Sequence, residues 1–158
     1  MLLLMLGCAG EGGEDGTFGL SYSDFVPPPG WIAEFIPQEA PEEQPLLVHI
    51  NDEGGWDLRR GDRWADAEVQ GSWQASEDEG YVVNGDLLLP PTLVQGETTD
   101  DVTITALGEA TAWYGTFEMA VTVDRESGRL ATEQVFARDI GPVVLTLDGF
   151  RWELAAYE

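Results

Sequence analysis

Few residues in this chain are equipped for chemistry. One histidine, His49, and one cysteine, Cys8, stand among 30 acidic side chains in 158 residues. Nucleophilic catalysis needs a base beside its nucleophile. His49 alternates with Val48 and Ile50 in Leu47-Val48-His49-Ile50, which reads as one side chain on a strand, and no Gly-x-Ser-x-Gly elbow exists. A zinc site draws on several Cys and His ligands, and one of each is too few. Three acidic clusters suggest calcium: Asn51-Asp52-Glu53 with Asp57, Glu77-Asp78-Glu79, and Asp100-Asp101 with Glu97. None has the Asp-x-Asp-x-Asp-Gly spacing of a calcium loop, so no metal or cofactor is expected. A glycosidase needs two carboxylates roughly 5–10 Å apart in a cleft, and acids this plentiful single out no pair. The expectation is a protein that is not an enzyme. An enzyme would require a cleft joining His49 to two or more carboxylates with displaced pKa values.

Aromatic residues offer the other recognisable chemistry. Of six tryptophans, Trp73 and Trp152 fall on apolar faces of alternating runs and belong to the core. Trp56 lies between Gly55 and Asp57, and Trp113 lies beside Tyr114. These flanks predict partial exposure, which makes Trp56, Trp113 and Tyr114 the candidate ligand-binding residues.

Composition excludes some partners. Seven arginines and no lysine against 30 acids give a net charge of −23. Phosphate recognition needs a basic stripe, so nucleic acid is not a partner, and electrostatic docking on anionic lipid is disfavoured. Most of the carboxylates read as a solvated surface.

The N-terminus reads MLLLMLGCAG. Its apolar run is much shorter than the about 20 residues that span a bilayer, but it suits the end of a signal-peptide h-region. Leu6-Gly7-Cys8 resembles a bacterial lipobox, which implies lipidation of Cys8 as the mature N-terminus. Met5 stands where that pattern usually has Leu, and no basic segment precedes Leu2. Ala9 after the cysteine, by the same resemblance, implies an outer-membrane destination. AGEGGEDG at 9–16 has the composition of a flexible acidic tether. The expected organisation is a signal-peptide remnant over 1–7, a tether and Pro-rich entry over 8–30, and a single β domain over 31–158.

Within that domain, short apolar runs alternate with turn signals. Ile32 to Ile36, Leu46 to Ile50 and Trp56 to Leu58 are strand candidates. Over Trp64 to Gln74, Ala65, Ala67, Val69 and Trp73 share one face, the mark of an antiparallel strand with one wet side. Asn84-Gly85 and Asp148-Gly149 stand between alternating runs and predict tight hairpins. Arg125-Glu126-Ser127-Gly128 predicts a turn, and Leu107 to Ala112 a single turn of helix. The fold class is therefore all-β with little helix: an antiparallel curved sheet, half-barrel or sandwich of roughly eight to ten strands.

Residues Leu87 to Tyr157 resemble the closing module of uncharacterised bacterial envelope lipoproteins. The resemblance rests on Tyr114-Gly115-Thr116-Phe117-Glu118, on Val135-Phe136-Ala137-Arg138-Asp139-Ile140-Gly141-Pro142-Val143, and on Trp152-Glu153-Leu154 with Tyr157. Asp139-Ile140 departs from the Gly-Val more usual there. The resemblance implies an envelope-located β protein and no particular activity. The sequence reading is thus a non-enzymatic, lipid-anchored envelope protein with a structural or interaction role, held to the membrane through Cys8, with another envelope protein as a possible partner. The alternative is a carrier holding an apolar ligand in the concave face of the sheet.

Overall fold

The computed structural model describes residues 20–40 and 42–158. Cys8 and the lipobox-like segment lie outside the described residues. Short alternating runs punctuated by Gly, Pro, Asn and Asp form thirteen strands here, preceded by one 3-10 turn at Tyr22–Phe25.

The first four strands are β1 (Ile32–Pro37), β2 (Leu46–Ile50), β3 (Trp56–Arg60) and β4 (Glu68–Trp73). Three short strands follow: β5 (Ala75–Ser76), β6 (Tyr81–Val83) and β7 (Asp86–Leu89). The second half contributes β8 (Thr98–Thr99), β9 (Val102–Ala112), β10 (Gly115–Arg125), β11 (Thr132–Ala137), β12 (Gly141–Leu147) and β13 (Phe150–Tyr157). Ten strands make one antiparallel sheet in the order β4-β3-β2-β1-β13-β12-β11-β10-β9-β8, and β5-β6-β7 make a second. The large sheet is thus two meanders joined where β1 pairs with β13. It remains open, with β4 and β8 at its edges.

The small sheet is formed by the crossover between the meanders, and it packs on the inner face. Tyr81, Val83 and Leu87 to Leu89 join one core with Trp31, Phe35, Val48, Trp56, Ile104, Val121, Phe136 and Trp152. The entry segment belongs to this domain and does not merely lead into it. Phe25 is fully buried, Ser21 bridges Thr92, and Asp24 pairs with Arg138 at 3.4 Å. The domain therefore reaches back past residue 30 to include Ser21, Asp24 and Phe25.

Both Asx-Gly hairpins form as expected. Asn84 and Gly85 have φ of 53° and 83°, and Asp148 and Gly149 have 52° and 84°, the signature of a type I′ turn. Two local expectations are corrected. Leu107 to Ala112 is strand, not helix, as part of β9. The run from Trp64 begins as a turn, and β4 starts only at Glu68. A bulge then sets Leu58 opposite Gly71 but Arg59 opposite Val69, so the period-2 alternation breaks. Trp73 points into the core, while Val69 is 65% exposed.

The hairpin of β9 and β10 bends back over the outer face. Gly108 has φ of 130°, and the register slips between Phe117 and Ala120. At the hairpin tip the Trp113 N–H donates to Glu153 Oε2 on β13 at 2.7 Å. The Tyr114 ring lies 5.3 Å from that of Tyr157. Every residue of β12 is buried, Gly141 against Pro27 of the entry segment, although strands with one wet face show alternate exposure.

Candidate functional site

Three groups of side chains could bear function: the row around His49, a buried arginine, and an aromatic groove on the outer face.

Antiparallel pairing sets His49 of β2 opposite Asp57 of β3, and Asp57 opposite Ser72 of β4. Ser72 Oγ donates to Asp57 Oδ1 at 2.6 Å, and His49 Nδ1 lies 3.8 Å from Asp57 Oδ2. The three residue types of a hydrolytic triad are present, in the wrong order. The carboxylate stands between serine and histidine, so the base does not reach the hydroxyl. The His49 ring packs edge-on against Trp64 at 5.4 Å. This arrangement pins a surface imidazole and does not activate a nucleophile.

Arg125 is the charged residue that sequence reasoning missed. It is 3% exposed, and it ties three segments together. Its guanidinium donates to the Leu87 carbonyl and to Asp101 Oδ2, the latter at 2.9 Å, and lies 3.4 Å from Asp86. Ser127 Oγ also donates to Asp101 at 2.8 Å. The site clamps the small sheet against β9 and β10. Arg125 Nε has no hydrogen-bond partner among the described residues. The reading of Arg125 as part of a plain turn lacked any signal that the turn's first residue points inward.

The acidic clusters do other work. Asn51 Oδ1 accepts from the backbone of Glu53 and Gly55 and closes the β2–β3 turn. Asp101 belongs to Arg125, and Glu77, Asp78 and Glu79 are exposed. Among the described residues no group of three or more His, Cys, Asp or Glu could hold a metal ion. Resolved pKa shifts follow local pairing. The hydrogen bond from Arg129 holds Asp148 below the usual carboxylate range, and the same bond raises Arg129. Burial opposes charge on Arg151, but hydrogen bonds to Glu153 and Glu133 outweigh it and raise the guanidinium. Burial pushes the Tyr81 phenol far up, so it stays protonated beside Trp56. The partners that shift these groups are Arg129 with Asp148, Glu133 and Glu153 with Arg151, and Trp56 with Tyr81, and His49 is not among them.

The aromatic candidates separate. Trp56 is fully buried, a correction to its expected partial exposure and to its place as a ligand-binding candidate. Its polar neighbours Gly55 and Asp57 told nothing of its own side, because adjacent strand residues point to opposite faces. Trp56 faces the small sheet and donates through Nε1 to the Tyr81 hydroxyl. Trp113 and Tyr114 are 65% and 50% exposed, as expected. Tyr114 stacks on Phe117 and leans on Tyr157, which is itself partly exposed.

Tyr157 also forms one wall of an open groove of about 280 Å³. Ile32, Leu47 and Ala156 give it apolar surface, Trp64 forms another wall, and Glu34, Asp62 and Glu158 line it as well. The groove exists because β1 and β13 meet at the seam of the two meanders, which brings residues 32–34 beside residues 156–158. The turn over residues 61–67 then sets Trp64 beside them. Arg59 secures that tryptophan, donating to its carbonyl at 2.7 Å and lying 4.5 Å from its ring centre.

Comparison with protein-family models, with curated proteins and with solved structures gives no match. The site's reading therefore rests on its own chemistry. Exposed aromatics, an apolar groove and flanking carboxylates can bind by burial and charge.

Proposed function

We propose that this chain is a non-enzymatic, lipid-anchored protein of the bacterial envelope whose β domain acts as an interaction module. The observation that carries the reading is the division of the aromatic residues between two faces. Trp31, Trp56, Trp73 and Trp152 are buried in the core, while Trp113, Tyr114, Phe150 and Tyr157 stay on the surface. Exposed aromatics are enriched where proteins meet partners, because they bury large area at small conformational cost. The packed inner face favours interaction over carriage of an apolar ligand in the concavity. Anchoring is supported by Leu6-Gly7-Cys8 followed by an acidic, Gly-rich stretch, and the outer-membrane destination by Ala9.

The intact mass of the protein recovered from a Gram-negative host tests the anchor. A chain beginning at Cys8 and carrying lipid, with that lipid lost in Cys8→Ala, is the expected result. An unprocessed chain starting at Met1 refutes it.

A further inference from the structure

We infer that the groove between Trp64 and Tyr157 binds a small, soluble organic ammonium ion with an apolar body. The inference rests on the reading of the outer face as an interaction surface and names the chemistry that this part of it selects.

Three observations converge. First, the groove is apolar over Ile32, Leu47 and Ala156, and its volume of about 280 Å³ is that of a small molecule. Second, two of its walls are aromatic. Indole and phenol rings attract ammonium groups through the negative charge on their faces, most strongly where water is partly excluded. Arg59 already lies over one face of Trp64, 4.5 Å from the ring centre, so the ligand is left Tyr157 and the rest of the indole. Third, Glu34, Asp62 and Glu158 line the groove, and none of them takes part in an ion pair among the described residues. Seven other carboxylates each meet an arginine: Asp24, Glu43, Asp86, Asp101, Glu133, Asp148 and Glu153.

An anionic ligand is repelled by these acids and by a net charge of −23. A neutral apolar ligand satisfies the floor but leaves the carboxylates unused. An ammonium group with an alkyl body satisfies both, with the cation near Glu34 and the aromatic rings and the alkyl part over Ile32 and Leu47. Tyr157 packs against Tyr114, their ring centres 5.3 Å apart, so this wall is held in place before a ligand arrives. A preformed wall lowers the ordering cost of binding.

The probe is choline, and its neutral counterpart is 3,3-dimethylbutan-1-ol, which has the same shape without the charge. Saturation-transfer NMR on the full chain reads binding, and the Trp64 indole N–H cross-peak, identified by its loss in Trp64→Phe, locates it. Choline is expected to saturate with a Kd of about 1 mM and to shift that cross-peak. The alcohol is expected to show no saturable binding over the same range. Glu34→Gln keeps the shape and should weaken choline about three- to fivefold. Trp64→Ala should weaken it about tenfold, and Trp64→Phe by less. Melting temperatures of the variants confirm that the fold is intact.

Equal binding of alcohol and choline overturns the cation assignment, as does a Glu34→Gln variant that binds choline as tightly as the wild type. Binding to phosphatidylcholine vesicles without binding of free choline overturns the choice of a soluble ligand. Absence of any choline binding overturns the site while leaving the anchored module standing, since Cys8 lipidation decides that separately.

Discussion

Replacing Arg125 by methionine should unfold this domain more readily than any other surface-distant charge change, and the structure gives the size. Methionine keeps most of the aliphatic stem and deletes the guanidinium. That leaves Asp86 and Asp101 facing each other, and the Leu87 carbonyl without its donor. Removing one partner of a buried ion pair costs about 3–5 kcal/mol. Both aspartates keep 29% of their side-chain surface in water, which places the loss at the low end, about 3 kcal/mol. For a domain of this size that corresponds to a fall in Tm of about 10 °C. Urea unfolding at neutral pH measures it directly. The decisive comparison repeats Arg125→Met in an Asp86→Asn, Asp101→Asn background, where no charge is left stranded. There the cost should drop below about 1 kcal/mol. Native-state hydrogen exchange should show β6 and β7 losing protection first, because the clamp holds the small sheet. Equal costs in both backgrounds would refute the electrostatic reasoning and leave only packing. A cost below about 1 kcal/mol in the wild-type background would show that Arg125 holds nothing.

Phe25→Ala tests whether the entry segment is part of the domain: full burial predicts a loss of about 3–4 kcal/mol in urea unfolding, against almost none if the segment were a mere leader. Gly80 and Gly85 both have positive φ, 101° and 83°, but only at Gly80 does an added Cβ run into backbone, the Leu89 carbonyl. Gly85→Ala should therefore cost about 1–2 kcal/mol, and Gly80→Ala clearly more, when the two Tm values are compared. The Asp148 carboxyl is held below its ordinary range by Arg129, so its contribution is present above about pH 4 and disappears as pH falls through its lowered value. Both partners are nearly half exposed, which limits the effect to under about 1 kcal/mol. Tm measured from about pH 3 to 7 should lose that part of its acid slope in Asp148→Asn, a residue that still suits the turn.

The parts of the fold governed by neighbouring residues were legible in the sequence. The Asn84-Gly85 and Asp148-Gly149 hairpins are local, because a left-handed pair is written into two adjacent residue types. The assignment of Trp73 and Trp152 to the core needed only alternation. Errors arose where one residue shifts a pattern. The bulge at β4 turned Val69 outward although Trp73 points in, and Leu107 to Ala112, read as one turn of helix, is strand with Gly108 at positive φ. Trp56 was misjudged from its flanks, when Leu58 two residues on carried the better signal. The exposure of Trp113 and Tyr114 was legible from their adjacency. The groove was not, because Glu34, Trp64 and Tyr157 are brought together only by the pairing of β1 with β13. No local pattern encodes a contact so distant in sequence.

That seam also has a temporal meaning. Ala33 pairs with Tyr157, so β1 emerges from the ribosome long before its second neighbour exists. Until β13 is made, β2, β3 and β4 can assemble on one side of β1 while its other edge stays bare, a template for pairing with any passing strand. The closing loop spans most of the sequence, which makes final assembly a late and comparatively slow event. A sheet that joins its two meanders only when β13 reaches β1 spends part of its folding with that seam open. Its exposed edge then becomes a period of vulnerability in which a holdase has something to grip.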